Sequence, residues 1–209
     1  MSDLTFYTNP MSRGRIVRWM LEEVGAPYET VVLDYGTTMK GAEYLSVNPM
    51  GKVPAIRHGA QAVTEAAAIC TYLAEVFPDA GLRPDDALLG PYYRWMFFGA
   101  GPVEAAVTNA SFGWTAEGPE GEGRVGYGSL DRVVGALEQL VAGAGPHLLG
   151  EQFTALDVYL GSQIAWGLQF GIMPERPRFR DYVERITERP AARRAKEIDD
   201  ALMPTDAPA

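Results

Sequence analysis

The chain has little of what disulfides, metal sites and membrane spans require. It contains one cysteine and two histidines in 209 residues, so an internal disulfide is excluded. Neither His58 nor His147 has a cysteine, a second histidine or a carboxylate at ligand spacing, and we expect no metal site. No apolar run approaches the roughly 18 residues of a transmembrane helix. The N-terminus lacks the basic and apolar regions of a signal peptide.

Basic residues are also scarce. Lys and Arg total 18 against 27 Asp and Glu, which gives a formal net charge of -9. Because phosphate binding needs a basic face, this balance argues against nucleic acid as a partner, and it disfavours anionic membrane surfaces. Hydrophobic residues make up 47% of the chain, which is ample for a packed core. These features together predict a soluble, cytoplasmic protein.

The most informative stretch is 48–56, with the sequence NPMGKVPAI. Asn48 and Gly51 are turn residues, so a loop ends here and a short strand begins at residue 55. Pro54 has no N–H to give to a ladder and belongs at a strand start or an edge. Val53 is pushed towards extended geometry, and its free N–H and C=O can pair with a peptide as one more strand. The structural alternative is a loop-to-strand corner with no ligand.

The residues after 48–56 add a second possible binding element to the extended backbone at Val53. Residues 61–64 are predicted as a strand, and Glu65 opens a helix whose first N–H groups are unpaired and attract carboxylates. Val53 is then able to hold the backbone of a small peptide while the Glu65–Ala66 turn holds its carboxylate. The pattern indicates a site for a short acidic peptide.

The first half of the chain is predicted to form a βαβ unit followed by αββα, the order of a thioredoxin-like domain. The predicted elements are a strand at 4–7, a helix at 13–24, a strand at 28–32, a partly helical segment from about residue 39, strands at 55–58 and 61–64, and a helix at 65–77. We expect this domain to cover 1–78, and the Pro-, Gly- and Asp-rich residues 79–90 to be a linker.

The second half, 91–209, carries no strand signal and is predicted to be all-α, so the fold class is α+β. A helix at 92–109 should kink or break at Pro102, and the glycine-rich residues 113–128 are predicted to be a loop. Thr154 and Asp157 form a capping-box pattern ahead of a largely apolar helix. The remaining predicted helices lie at 130–141, 179–188 and 191–202.

Two motifs carry a family resemblance over nearly the whole chain. The pattern N-P-x-G-K-V-P-A followed by T-E-x-x-A-I-x-x-Y-L resembles the glutathione-binding domain of the soluble, bacterial-type glutathione S-transferases, and the capping box before a buried helix is a second shared motif. The resemblance implies that Pro54 is cis, that Val53 pairs with the cysteinyl part of glutathione, and that the Glu65–Ala66 pair grips the γ-glutamyl carboxylate. Glu65 itself is expected to orient the γ-glutamyl amine or the partner chain, or is simply an acid favoured by the helix dipole. Ala66 stands where a serine is usual, so one hydroxyl contact is missing.

Glutathione chemistry needs a thiolate, and a free thiol with a pKa of about 8.5 is only slightly ionised at neutral pH. Ser12, at the start of the first helix, is able to supply a hydroxyl donor to the sulfur, or it is a plain N-cap. Alignment of the family's arginine on the R-G-R stretch instead places Asn9 at the catalytic position. We expect Ser12 to be the donor, with Asn9 as the alternative and Arg13 as an electrostatic aid. Lys40 and Lys52 are candidates for the glycyl carboxylate, or are solvated lysines.

The resemblance implies a transferase that conjugates glutathione, its co-substrate, to small apolar electrophiles in detoxification, and that forms a homodimer. An apolar substrate site is expected from Tyr93, Phe97, Trp114 and Trp166, although core packing is an alternative for each.

Two other functions remain open. One is glutathione-dependent reduction of disulfides or peroxides, which usually needs a cysteine at the first helix; Cys70 lies elsewhere and is expected to be inert. The other is a non-catalytic binding or regulatory module with the same fold.

Overall fold

A computed structural model of the chain describes residues 3–143 and 145–203. Its internal contacts divide the chain into two units. The sheet unit comprises the residues through Gly81 together with those from Glu188 onward, and the helical unit comprises Leu82–Thr187.

The sheet unit is built on four strands in the order β2-β1-β3-β4. β1 pairs in parallel with β2 and antiparallel with β3, which pairs antiparallel with β4. The strands are β1 Leu4–Thr8, β2 Glu29–Val32, β3 Ala55–His58 and β4 Gln61–Thr64. The last two strands match the predicted ranges to the residue, because turn residues bound them on both sides.

Helices alternate with these strands as the sequence predicted. They are α1 Gly14–Val24, the short α2 Ala42–Leu45 after a 3-10 turn at Thr38–Lys40, and α3 Ala66–Val76. One face of α1 is fully buried, through Ile16, Val17, Met20 and Leu21, and the helix ends at Gly25, whose φ of 71° suits glycine. The predicted thioredoxin-like βαβαββα order is confirmed.

The helical unit and the end of the chain consist of further helices. They are α4 Leu89–Phe98, α5 Glu104–Ser111, α6 Gly118–Arg124, α7 Leu130–Gly143, α8 Ala155–Gln169, α9 Pro177–Thr187 and α10 Pro190–Ala201. A π-helical segment, Gly99–Val103, joins α4 to α5 and contains Pro102, where a kink was predicted. α8 is buried along most of its length and packs against α4 and α9.

The prediction of a loop throughout 113–128 is wrong, because α6 lies within it. The sequence of α6, GPEGEGR, has no apolar period, so periodicity does not reveal it. Two local features support the helix instead. Pro119 stands in its first turn, and Glu120 forms an i,i+4 ion pair of 2.6 Å with Arg124.

The C-terminal helix α10 lies with the sheet unit rather than with the other helices of the predicted 91–209 domain. It packs along α1, and oppositely charged residues pair between the two helices. The four pairs are Arg15–Asp200, Arg18–Asp199, Glu22–Arg194 and Glu23–Arg189. Leu82, within the predicted 79–90 linker, accepts the N–H of Ala155 at 2.9 Å, which ties that part of the segment to the start of α8. The domain boundaries at 78 and 91 stay predictions.

Across the described ranges, the helices are all too short or too polar to span a bilayer.

Asp157 is the polar centre of the helical unit. It completes the predicted capping box, since its Oδ2 accepts the N–H of Thr154 at 2.9 Å. Its Oδ1 accepts the N–H of Leu148 at 2.8 Å and the hydroxyl of Tyr182 at 3.0 Å. Burial raises the pKa of Asp157 above its usual value, while the two backbone donors oppose the shift. One carboxylate therefore joins the start of α8 to the 148 loop and to α9.

We expect Asp157→Ala to lower the free energy of unfolding by about 3 kcal/mol or more, because it leaves several buried donors without an acceptor. A cap alone is worth about 1 kcal/mol. Urea unfolding measures the difference, and Asp131→Ala, at an exposed acid in the first turn of α7, is the matched control with an expected change within about 0.5 kcal/mol. An Asp157→Ala protein with an unchanged midpoint and lost turnover would contradict a purely structural role.

Candidate active site

Most of the predicted glutathione-site residues meet at one edge of the sheet. In the strand register Tyr7 pairs with Ala55, Ala55 pairs with Thr64, and Thr8 pairs with Val32. The ends of β1, β2 and β4 and the start of β3 therefore lie side by side. The segments that leave this edge are the turn 9–13, the residues after Val32, the Val53–Pro54 peptide and the Glu65–Ala66 junction.

The turn 9–13 between β1 and α1 is held by its own polar groups. Asn9 is 9% exposed; its Nδ2 donates to the C=O of Leu33 at 2.8 Å, and its Oδ1 accepts the N–H of Met11 at 2.9 Å. The Ser12 hydroxyl donates to the C=O of Asn9 at 2.6 Å and accepts the N–H of Gly14 at 2.9 Å. The Ser12 hydroxyl thus ties the turn to the first residue of α1, and its proton must turn away from the C=O of Asn9 to reach a sulfur.

Gly14 allows the turn to lie close to the end of β1. A Cβ at this position would be 2.0 Å from Oγ1 of Thr8, far inside any tolerated contact. Gly14 within the R-G-R sequence is therefore required by packing. Arg13, the predicted electrostatic aid, is exposed on the same turn.

The loop before β3 presents Val53 in a fixed backbone. The Val53–Pro54 peptide bond is cis, as the resemblance implied. The C=O of Lys52 accepts the hydroxyl of Tyr44 at 2.5 Å and Nδ2 of Asn48 at 2.8 Å. Burial raises the pKa of Tyr44 to about 12, so its phenol stays protonated and keeps donating. These contacts leave Val53, half-buried, ahead of the strand.

The two candidate lysines differ in their surroundings. Lys40 donates from Nζ to the C=O of Gly51 at 2.6 Å, which brings its charge to the loop that carries Val53. An ammonium has three donors, so this bond leaves two for another acceptor. Lys52 is exposed and precedes Val53 directly.

Glu65 has the one positive φ among the described non-glycine residues, at 67°. Such backbone geometry costs free energy and clusters at functional sites. It turns the chain from β4 into α3, whose first hydrogen bond runs from the N–H of Ile69 to the C=O of Glu65 at 2.9 Å. The N–H groups of the first turn, from Ala66 on, therefore point beyond the helix, where they suit a carboxylate.

The predicted substrate-site aromatics all belong to the helical unit. Tyr93 and Phe97 lie on α4, Trp166 lies on α8, and Trp114 follows α5. Phe97 is 72% exposed and Trp114 is 63% exposed, so neither is a core residue of this chain. Trp114 stacks on Phe112, a partner that the sequence did not single out, with ring centroids 4.9 Å apart. A cavity of about 330 Å³ in this unit is lined by Trp95 and Leu140 among others and by none of the four.

Sequence analysis missed two residues that touch the turn 9–13. Tyr35 donates its hydroxyl to the C=O of Met11 at 3.1 Å. Arg15 donates from Nε to the C=O of Pro10 at 2.6 Å and from Nη1 to Asp200 at 2.7 Å. The only local signal for Tyr35 is a large aromatic residue in a stretch otherwise rich in Gly and Thr.

The arrangement is that of a protein built to hold a small peptide. It offers an extended backbone at Val53, a helix N-terminus for a carboxylate at α3, and hydroxyl and amide groups at the end of β1. The fold is that of a thioredoxin-like domain with an added helical unit.

Comparisons with known proteins name its relatives. A family model described as the glutathione S-transferase N-terminal domain matches residues 11–76. The crystal structure of a glutathione transferase from Methylococcus capsulatus is 30% identical, covers 95% of this chain and 99% of its own, and has a TM-score of 0.74. A sphingomonad glutathione S-transferase complexed with glutathione is 28% identical over 94% of this chain and 98% of its own, also with a TM-score of 0.74. Glutathione S-transferase A of Pleuronectes platessa is 28% identical over 160 residues, which are 73% of this chain and 71% of that protein.

The chain belongs to the soluble glutathione S-transferase family.

We expect Cys70 to be dispensable. Its thiol is fully buried on α3, and burial raises the pKa of Cys70 far above its usual value, so it supplies no thiolate at neutral pH. Cys70→Ala should keep wild-type turnover of glutathione, with a modest fall in melting temperature from the small cavity. If turnover vanished while the melting temperature held, a reaction through a protein thiol would become the better explanation.

Proposed function

We propose that the protein is a glutathione transferase that joins the glutathione thiolate to small, apolar electrophiles. The observation that carries this proposal is the convergence of the turn 9–13, the cis Val53–Pro54 peptide and the N-terminus of α3 at one edge of one sheet. Family membership supports it at the level of a glutathione transferase or a related glutathione-dependent function.

In the proposed complex each part of glutathione has a counterpart at this edge. The cysteinyl backbone pairs with the N–H and C=O of Val53 as an added strand. The γ-glutamyl carboxylate accepts N–H groups of the first turn of α3, and Glu65 binds the γ-glutamyl amine. Ala66 gives no hydroxyl, but its backbone N–H remains. Lys40 and Lys52 balance the glycyl carboxylate.

The chemical step begins with ionisation of the bound thiol, whose proton leaves to water. The hydroxyl of Ser12 turns from the C=O of Asn9 to the sulfur and donates to the thiolate, helped by the charge of Arg13; the Asn9 amide is the alternative donor. The sulfur lone pair then forms a carbon–sulfur bond, and the leaving group departs with the electron pair of the broken bond.

Tyr93, Phe97, Trp114 and Trp166 are the proposed apolar contacts of the electrophile. The exposure of Phe97 and Trp114 supports a role outside the core. Contiguous exposed apolar surface marks ligand or partner sites, and exposed Trp114 stacks on Phe112, which is exposed as well. The cellular role proposed on this basis is detoxification in the cytoplasm.

A second candidate function is a non-catalytic glutathione-binding module. Two observations favour it: Ala66 lacks the hydroxyl, and the proton of Ser12 is already donated to a backbone C=O. Retention on a glutathione matrix followed by a conjugation assay with a generic aryl halide separates the two. Retention without turnover supports the module, and turnover supports the transferase.

We expect Ser12→Ala to lower turnover about ten- to a hundredfold at neutral pH while glutathione still binds, because one charge-assisted hydrogen bond worth about 1.5–3 kcal/mol is lost. The pKa of the bound thiol should rise, so activity should partly recover as the pH is raised. Steady-state kinetics from neutral to alkaline pH measure both effects.

Asn9→Ala is the control for this experiment. Because the Asn9 side chain bonds both Leu33 and Met11, we expect Asn9→Ala to lower the melting temperature. We expect the pKa of the bound thiol to stay close to the wild-type value. If instead Asn9→Ala raises the thiol pKa and Ser12→Ala changes only thermal stability, Ser12 is an N-cap and the Asn9 amide is the thiolate donor.

We also expect the protein to be a homodimer through α3 and α4. Val76 on α3 leaves apolar surface exposed in the single chain, and Arg94 and Glu104 are the proposed charged contacts across a two-fold axis. Light scattering at micromolar concentration should give twice the chain mass of 22.8 kDa. A monomer under these conditions overturns the expectation.

A further inference from the structure

Tyr35 lies beside the proposed thiolate site, although it comes from a different strand. It follows β2 by three residues, and the N–H of Leu33 donates to the C=O of Thr8 at 2.8 Å, which ties the end of β2 to the end of β1. This bond brings the residues after β2 against the turn 9–13.

The Tyr35 hydroxyl contacts the turn that carries the proposed catalytic residues. It donates to the C=O of Met11, the residue next to Ser12, at 3.1 Å. The charge of Arg13 also acts on it. The ring is 49% exposed, so a ligand is able to approach the hydroxyl from solvent.

The two hydroxyls of this cluster differ in how firmly they are held. Ser12 donates at 2.6 Å to the C=O of Asn9 and accepts from the N–H of Gly14 at 2.9 Å, so both its proton and a lone pair are engaged within the turn. The bond from Tyr35 to Met11 is 3.1 Å, longer than the usual 2.7–2.8 Å of an O–H···O hydrogen bond. The Tyr35 proton is therefore the easier one to redirect.

A phenol also suits a thiolate better than an alkyl hydroxyl does. Its ordinary pKa of about 10 makes it a stronger hydrogen-bond donor, and bonds to an ionised acceptor are about twice as strong as neutral ones. Burial raises the pKa of Tyr35 further, against the opposing effects of Ser12 and Arg13. The phenol therefore keeps its proton at neutral pH and remains a donor.

We propose that Tyr35 is a catalytic residue, whose hydroxyl leaves the C=O of Met11 and donates a hydrogen bond to the glutathione sulfur beside Ser12. This inference rests on the proposed function. Tyr35 transfers no proton in the step: the thiol proton goes to water, and the phenol O–H stabilises the thiolate that remains. The site then holds the sulfur with two hydroxyls from the segments that follow β1 and β2, and the loss of either one leaves the other in place.

The test measures the ultraviolet absorption of the bound thiolate as a function of pH, for wild type, Tyr35→Phe and the matched control Tyr72→Phe. The Tyr72 hydroxyl bonds to His58 and Gln61 in the same unit, away from the turn. For Tyr35→Phe we expect the ionisation midpoint to rise by about one pH unit and turnover at neutral pH to fall about tenfold. The control should keep the wild-type midpoint.

A second variant keeps the inference testable if the phenyl ring disturbs the turn. A fluorinated tyrosine at position 35, whose phenol is more acidic, should lower the midpoint below the wild-type value, which a merely structural ring does not do. An unchanged midpoint in Tyr35→Phe, with wild type ionising its bound glutathione, overturns the role of Tyr35 and leaves the proposed function intact. A wild-type protein that binds no glutathione, or leaves its thiol protonated, overturns the proposed function first.

Discussion

A single buried guanidinium joins four elements of the sheet unit. Arg18, on α1, is fully buried; its Nε lies 3.1 Å from Oδ1 of Asp199 on α10, and its Nη1 donates to Tyr28 at 3.0 Å and to Thr30 on β2 at 2.8 Å. Its plane also covers the ring of Phe6 on β1, 4.9 Å from the centroid. Burying a charge costs several kcal/mol. These contacts offset that cost only when α1, β1, β2 and α10 lie in this one arrangement.

Hydrogen bonds compensate the charges of the buried Arg18–Asp199 pair only in part, and this bears on the role of the pair. Nη2 of Arg18 and Oδ2 of Asp199 have no hydrogen-bond partner among the described residues. Burial raises the pKa of Asp199 although Arg18 opposes the shift, so desolvation outweighs attraction at the carboxyl. Such a pair adds little net stability. We infer that the Arg18–Asp199 pair serves geometry: it fixes α10 on α1.

One turn earlier on α1, Arg15 bonds both Asp200 and the C=O of Pro10. The pairing of α1 with α10 therefore extends to the turn that carries Ser12.

Local sequence signals predicted the strands and helices of the sheet unit well. They did not predict contacts between residues that are far apart in the sequence. The strands of the β3–β4 hairpin were placed to the residue because turn residues bound them, and the cis Pro54 followed from the family motif. The position of α10 on α1 depends on ion pairs more than 160 residues apart in sequence, which no local period encodes. Asp157 was correctly predicted as a cap, but its bonds to Leu148 and Tyr182 depend on the packing of α8. Tyr35 was missed for the same reason, because its partner is a carbonyl 24 residues away.

The proposed glutathione site accounts for a departure from the family's usual residues within the family's architecture. The proposed binding groups are mostly backbone: the peptide groups of Val53 and the first N–H groups of α3. Replacement of a serine by Ala66 removes one side-chain contact without moving these. The sulfur position is different, because a thiolate needs donors whose protons are not otherwise used. Asn9 and Ser12 both spend hydrogen bonds on the turn itself. In the proposed site the architecture therefore sets where the peptide lies, and the proposed chemistry depends on which of the few hydroxyl and amide groups at the end of β1 turns to the sulfur.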